Sequence, residues 1–90
     1  MELEQLRIFL AAAEAGGFSP AARALYISHS TVSRTVAALE RELGTPLFLR
    51  SSRRQALTPA GRALAAEAQA LLTRADAVPS LVRQAAEDGA

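Results

Sequence analysis

The 90-residue sequence contains no cysteine and only one histidine, His29. Disulfides and thiolate metal sites are therefore excluded, and one imidazole cannot by itself build a zinc or haem site. No uninterrupted apolar run approaches the roughly 18 residues that a membrane-spanning helix needs. The acidic, amphipathic N-terminus also lacks the basic-then-apolar pattern of a secretory signal. We therefore expect a single small cytoplasmic domain whose fold rests on apolar packing.

Acidic residues are missing from two stretches of the chain, 15–39 and 43–66. The basic residues in these stretches are Arg23, His29, Arg34, Arg50, Arg53, Arg54 and Arg62. The formal net charge of +1 conceals this segregation. A basic face on a near-neutral protein is typical of phosphate binding, although an ordinary solvated surface gives the same pattern.

Helical periodicity and helix-ending residues predict three helices in the first half of the chain. Apolar residues recur at a 3.6-residue spacing over Leu3–Ala13, and Gly16 can close that helix in the left-handed conformation. The pair Ser19–Pro20 predicts the start of a second helix, because serine can cap it and proline has no N–H to lose. Ser28 is the predicted N-cap of a third helix ending at Gly44. Two helices joined by a tight turn form a helix-turn-helix.

The second half of the chain predicts a hairpin and a long helix. Residues 47–49 and 55–57 are predicted as two short strands that flank a turn rich in arginine and serine, and Thr58–Pro59 then starts a fourth helix. Pro79 should kink or end this helix near Val78. Its apolar residues form a heptad seam that so small a domain should not bury alone, so we expect a dimer. The predicted dimer seam consists of Leu64, Ala68, Leu71, Ala75 and Val78.

A serine hydrolase is the catalytic class that the residues first suggest. Ser33 follows His29 by four residues and is the only serine that shares its helix face. However, no carboxylate lies between Glu14 and Glu40 to orient the imidazole, and no Gly-x-Ser-x-Gly elbow occurs. We therefore assign no catalytic residue, and we predict that the protein is not an enzyme.

The polar beginning of the third helix favours contact with DNA. Its apolar residues Val32, Val36, Leu39 and Leu43 face inward, which turns hydroxyls, an imidazole and a guanidinium outward. The first residues of a recognition helix meet base edges in the major groove, and arginine can bind guanine bidentately. The predicted base-reading residues are His29, Ser30, Ser33 and Arg34, whereas Ser28 alone is better explained as a cap.

These motifs together resemble the N-terminal DNA-binding domain of LysR-type transcriptional regulators over residues 1–80. The most specific stretch is Pro46-Leu47-Phe48-x-Arg50-x-x-Arg53-x-x-x-Leu57-Thr58-x-Ala60-Gly61. The resemblance implies a mainly α fold, a winged helix-turn-helix of three helices and a two-stranded wing at residues 1–58. A linker helix at residues 59–90 would pair two protomers antiparallel.

The resemblance also implies roles for individual residues. Residues 29, 30, 33 and 34 would lie in the major groove, and Arg53 would contact the minor groove. Phosphate contacts are expected from Ser19, Arg23, Arg50 and Arg54. The family usually has glutamine where this chain has His29, so the preferred base there is open. No metal or cofactor is expected in this chain, because the family's small-molecule effector binds a C-terminal domain that lies outside it.

The sequence therefore predicts sequence-specific binding of double-stranded DNA by a bacterial transcriptional regulator. It would act at the nucleoid as a homodimer on an interrupted inverted repeat, with one half-site per protomer. The full-length protein could also form oligomers larger than a dimer. The alternative is a winged-helix module for protein–protein interaction and oligomerisation that does not bind DNA. Salt dependence separates the two, because only phosphate contacts release counterions.

Overall fold

The computed structural model describes residues 1–49 and 56–89. Arg50, Arg53 and Arg54, which were predicted to contact DNA, lie outside these described residues. The elements in chain order are α1 (Leu3–Ala15), α2 (Phe18–Leu25), α3 (His29–Leu43), β1 (Phe48–Leu49), β2 (Ala56–Leu57) and α4 (Pro59–Gly89). This order confirms the predicted fold class, a winged helix-turn-helix followed by a long helix.

The helix boundaries follow the capping residues, with one correction. Gly16 and Gly44 close α1 and α3 in the left-handed conformation, at φ 74° and 70°. The second helix, however, begins at Phe18 with Gly17 as its N-cap, so Ser19 is not the cap. Phe18 is buried and packs in the core, which draws the helix start toward it. Pro20 is still tolerated because first-turn N–H groups have no partner within the helix.

The core lies where α1, α2 and α3 meet the wing and the first half of α4. Val32, Val36 and Leu39 are fully buried, which confirms the predicted inner face of α3. Leu43 was predicted to join them but is 41% exposed, because the last turn of α3 extends past the core. Phe48 is buried beside Phe9 and Phe18, and these three rings link the wing to the helices.

Three residues, which we call the wing base, fix the two strands to the helices. They are Glu40, Thr58 and Gly61, taken together with the backbone groups that they contact. The strands pair antiparallel, with Phe48 opposite Leu57. The Glu40 carboxylate accepts from the Leu47 N–H at 2.7 Å and from the Phe48 N–H at 3.4 Å.

Thr58 and Gly61 complete the wing base at the start of α4. The Thr58 hydroxyl donates to the Pro46 carbonyl at 2.7 Å and accepts from the Gly61 N–H at 2.9 Å, so the predicted cap is confirmed. A Cβ at Gly61 would overlap the backbone carbonyl oxygen of Leu47. Only glycine lets α4 approach the wing this closely.

The long helix α4 is buried on one side in its first half and exposed elsewhere. Leu64, Ala68 and Leu72 lie on the buried side and belong to the domain's own core, because α1 packs against it. The premise that so small a domain leaves the seam uncovered therefore does not hold at Leu64 and Ala68. Leu71 and Val78 are about half exposed, at 47% and 51%, and Ala75 is half-buried.

Pro79 does not end α4, which continues as helix to Gly89. Of the two effects expected of Pro79, an end of the helix near Val78 is therefore wrong, and a kink there stays a prediction. The missing N–H and the crowding of the preceding turn cost free energy without terminating the helix. Among the described residues, no helix is both long and apolar enough to cross a membrane.

Candidate nucleic-acid interface

The beginning of α3 is organised by Ser28, which acts as its N-cap. The Ser28 hydroxyl accepts from the Thr31 N–H at 3.1 Å and shares a hydrogen bond with the Thr31 hydroxyl at 2.8 Å. This satisfies one of the N–H groups that the first turn leaves without a helical partner. The interpretation of Ser28 as a structural cap is confirmed.

The four predicted base-reading residues occupy the outer side of this helix, which we call the α3 front. It comprises His29, Ser30, Ser33 and Arg34. His29, Ser30 and Arg34 are exposed and Ser33 is half-buried, while the inner side of the same helix is fully buried. The helix therefore brings a ring nitrogen, two hydroxyls and a guanidinium to one end of an exposed surface. That set supplies hydrogen-bond donors and acceptors of the kind that read base edges.

The ring of His29 is not isolated at this surface. Its centroid lies 6.0 Å from that of Phe18, with the planes tilted by 55°. Phe18 is itself buried and packs edge-on against Phe48. A chain of rings thus connects the wing strand β1 to the first residue of α3. The sequence analysis did not predict this contact. The chain has only three Phe and one Tyr, so few rings were available to pack against His29, and that was the signal.

Arg34 of the α3 front and Arg23 of α2 have no carboxylate partner within the chain as described. The ion pairs found in residues 1–49 and 56–89 join Met1 to Glu42 and Arg7 to Asp76, and neither uses Arg23 or Arg34. Arg23 and Ser19 are exposed on α2. The acid-free stretch 15–39 explains why these guanidiniums stay unpaired. Such groups favour an anionic partner from outside the chain.

His29 and Ser33, the residues considered for a serine hydrolase, do not form a catalytic arrangement. His29 and Ser33 share the α3 front, but the described residues show no hydrogen bond from the imidazole to that serine or to a carboxylate. A serine nucleophile needs both a base and a group that orients the base. In the part of the chain that the structure describes, no cluster of three metal-ligating side chains occurs either.

One ion pair holds the long helix to the body of the domain, away from the α3 front. The Arg7 guanidinium on α1 donates to the Asp76 carboxylate on α4, with Nη2 2.6 Å from Oδ1. This hydrogen bond lowers the pKa of Asp76 and raises that of Arg7. Both side chains are substantially exposed, so solvent screens the pair.

Glu40 is a functional residue of the wing that sequence reasoning did not assign. It stands in the last turn of α3 and accepts two backbone N–H groups from the start of the wing. The signal in the sequence was a carboxylate in the last turn of a helix, a few residues before the glycine and proline that precede the wing. Through Glu40, the recognition helix and the wing are positioned relative to each other.

Comparison with known proteins gives a consistent result over most of the chain. Residues 3–62 match the family described as bacterial regulatory helix-turn-helix protein, lysR family. The HTH-type transcriptional regulator TfdT of Cupriavidus pinatubonensis is 46% identical over 72 residues. These are 80% of this chain and 32% of TfdT, so the chain spans less than a third of that relative's length.

Two similar solved structures contain DNA. The CbnR_DBD–DNA complex superposes with a TM-score of 0.90 at 41% identity, covering 96% of this chain and 99% of that one. The complex of BenM_DBD with catB site 1 DNA gives a TM-score of 0.90 at 38% identity and covers 96% of both chains. The fold described above is therefore shared with proteins solved on DNA.

Proposed function

The chain belongs to the LysR family of bacterial regulatory helix-turn-helix proteins, and from that premise we propose that it binds double-stranded DNA sequence-specifically to regulate transcription. The observation that carries the proposal is the division of α3. Its inner side is fully buried, and its outer side presents the α3 front, whose Arg34 has no carboxylate partner among the described residues. The solved complexes of CbnR_DBD and BenM_DBD with DNA support the same partner.

The α3 front enters the major groove and reads base edges. Arg34 is suited to a guanine, whose O6 and N7 accept from a guanidinium. The hydroxyls of Ser30 and Ser33 are short enough to permit close approach of the helix. His29 offers ring nitrogens in place of the amide that the family usually carries, and its contact with Phe18 limits the directions in which the ring can point.

Phosphate contacts position the domain and carry no sequence information. Ser19 and Arg23 on α2 are exposed and belong to the acid-free stretch. By family resemblance, Arg50 binds phosphate, and Arg53 reaches the minor groove, where arginine reads a narrow groove through its electrostatic potential. Arg54, which follows in the same basic turn, is assigned to phosphate from its charge and position in the sequence.

The protein acts as a homodimer through the exposed apolar residues of α4. Leu71, Val78, Leu81 and Val82 are each about half exposed or more on this helix, and a partner helix would cover them. An antiparallel pair places two α3 fronts on successive half-sites of an interrupted inverted repeat. Residues 1–58 then form the DNA-binding unit and 59–90 the linker helix.

The remaining assignments follow from family membership. The protein works at the bacterial nucleoid, in the cytoplasm, and catalyses no reaction. No cofactor is held by this chain, and a small-molecule effector belongs to a C-terminal domain of the kind found in this family. Higher oligomers are a property of the full-length protein. A module that binds only other proteins is the less favoured alternative, because the similar CbnR_DBD and BenM_DBD structures are complexes with DNA.

Selection of bound sequences from a random DNA pool tests the proposal directly. We expect enrichment of two half-sites with dyad symmetry at a fixed spacing, whereas failure to enrich any sequence would overturn DNA recognition. A salt titration on the enriched site gives a second measurement. If about four to six arginines per protomer touch phosphate, log affinity should fall with log salt at a slope of about −4 to −5 per protomer. A flat response would favour a protein partner.

A further inference from the structure

Tyr26, in the turn between α2 and α3, combines two unusual properties. Its side chain is 95% exposed, although it is one of only four aromatic residues in the chain. Its backbone is left-handed, with φ 58° and ψ 41°. Among the described residues it is the only residue other than glycine with a positive φ.

The backbone conformation has a structural explanation. Tyr26 is the C-cap of α2, and its N–H donates to the Arg23 carbonyl at 3.3 Å. The following N–H, of Ile27, donates to the Ala22 carbonyl at 3.0 Å. A left-handed residue in this place satisfies helix carbonyls that would otherwise lack a partner and turns the chain toward α3. The fold therefore requires the conformation.

The tyrosine side chain is not explained by the fold. Glycine adopts the left-handed region without steric cost and asparagine with little, whereas a bulky side chain is disfavoured there. The ring contributes almost nothing to the core because nearly all of it is exposed. Its hydroxyl makes no hydrogen bond to any residue that the structure describes. Folding thus gains nothing from the phenol, which indicates a partner outside the domain.

The position of Tyr26 indicates which partner. It lies two residues before Ser28, the N-cap of α3, so the two Cα atoms are at most roughly 7 Å apart. When the beginning of a recognition helix occupies the major groove, the chain that leads into it passes the phosphates at the groove's edge. Tyrosine is among the side chains that donate to phosphate oxygens. The acid-free stretch 15–39 and the exposed Arg23, three residues earlier, favour an anion here.

We propose that Tyr26 is a positioning residue for DNA binding: its hydroxyl donates a hydrogen bond to a backbone phosphate at the edge of the groove that α3 enters. This contact rests on the proposed function and refines it. It fixes how far α3 slides along the groove and thereby holds the α3 front in register with the bases. The side chain is retained against the preference of its backbone because it serves the complex with DNA.

Two substitutions separate the hydroxyl from the backbone conformation. Tyr26→Phe removes only the hydroxyl, so the melting temperature should stay the same while affinity for the selected site falls about 3- to 10-fold. Tyr26→Asn suits the left-handed backbone, so the melting temperature should rise while affinity falls by a similar factor. The slope of log affinity against log salt should not change in Tyr26→Phe, because a neutral donor releases no counterion.

Neutral methylphosphonate groups, placed one at a time along the selected site, identify the contacted phosphate. At that phosphate the wild-type protein should lose affinity by a larger factor than Tyr26→Phe, since methylphosphonate weakens the acceptor of a hydrogen bond that the variant no longer makes. At other phosphates both proteins should lose affinity equally.

Three results would overturn the proposal. Equal affinity of Tyr26→Phe and wild type would exclude a hydroxyl contact with DNA and leave the ring as a surface for another protein. A lower melting temperature in Tyr26→Phe, with a parallel loss of affinity, would make the role structural. Failure of the wild-type chain to select any DNA would remove the proposed function itself, and that result is distinguishable because it precedes any comparison of variants.

Discussion

The wing base and the α3 front are both polar, but they use their polar groups in opposite ways. At the wing base, Glu40 and Thr58 direct their oxygens at backbone groups of the same chain. At the α3 front, Arg34 is exposed and has no carboxylate partner among the described residues. Polar groups that are satisfied internally serve the fold, and those left outward are available to a ligand. Substitutions at the wing base should therefore change stability, and substitutions at the α3 front should change DNA affinity.

The largest effect is expected from Gly61→Ala at the wing base. The added methyl would overlap the Leu47 carbonyl oxygen, which is backbone and cannot rotate away. We expect the free energy of unfolding to fall by about 3 kcal/mol, as for other overpacked sites. Chemical unfolding measures it, with Gly89→Ala as the control, because nothing lies within 4 Å of a Cβ there. Equal stability of the two variants would show that α4 can move away from the wing.

Thr58→Val is the next largest and removes only the hydroxyl. The variant leaves the Pro46 carbonyl and the Gly61 N–H without their partner, in a place where Thr58 is 9% exposed. A loss of about 2 kcal/mol in the free energy of unfolding is expected. Thr73→Val, on the exposed side of α4, is the matched control and should change stability little. If the two losses are alike, the Thr58 hydroxyl does not stabilise the wing base.

Arg34→Ala should show the opposite behaviour, with unchanged stability and weaker DNA binding. Loss of the guanidinium should reduce affinity for the selected site about tenfold and relax the preference at one base pair. Selection from a random DNA pool with the variant checks the second point. Arg74→Ala removes the same charge from an exposed position on α4. If both variants lose the same affinity with preference intact, Arg34 acts only through its charge.

The smallest effect is expected at the ion pair between Arg7 and Asp76, which belongs to neither the wing base nor the α3 front. The hydrogen bond from Arg7 lowers the pKa of Asp76 in the folded state. The pair therefore stabilises the fold at pH values above the ordinary aspartate pKa, and this contribution is lost as the pH falls through the lowered pKa. Because both side chains are exposed, the effect should be small.

Unfolding of wild type and Asp76→Asn at neutral and acidic pH measures this contribution. The wild type should be slightly more stable at neutral pH, and the difference should vanish in acid. Asp88→Asn, which removes an exposed aspartate from the same helix, should equal wild type at both pH values. A wild-type advantage that persists in strong acid would contradict the ion-pair explanation.

Local signals in the sequence predicted most of the elements but not all of their limits. Gly16, Gly44, Ser28 and Thr58 act as the caps that their chemistry suggests. The start of α2 was predicted wrongly, and the end of α4 that was one of the two effects expected of Pro79 does not occur. In the first case the burial of Phe18 outweighed the preference of Ser19 for a cap position. In the second, one proline was not enough to stop a long helix.

The candidate site was predictable as a surface but not as a set of contacts. The spacing of Val32 and Val36 on α3 was enough to turn His29 and Arg34 outward. The contact between His29 and Phe18, and the two N–H groups accepted by Glu40, join residues of different elements across a turn, where helical periodicity gives no information. Base reading by the α3 front, the roles of the wing arginines and the dimer seam stay predictions.

The sequence by itself determined the order of helices and strands, the caps other than that of α2, and the outward side of α3, because each depends on residues within a few positions of one another. The family followed from the spacing of motifs along residues 1–80. Only the tertiary structure decided that Leu64 and Ala68 belong to the domain's own core and that Gly61 must lack a side chain. It also showed that Tyr26 combines a left-handed backbone, which the fold requires, with an exposed phenol, which the fold does not use. Those facts depend on which distant surfaces come into contact, and periodicity along one helix does not specify what lies against it.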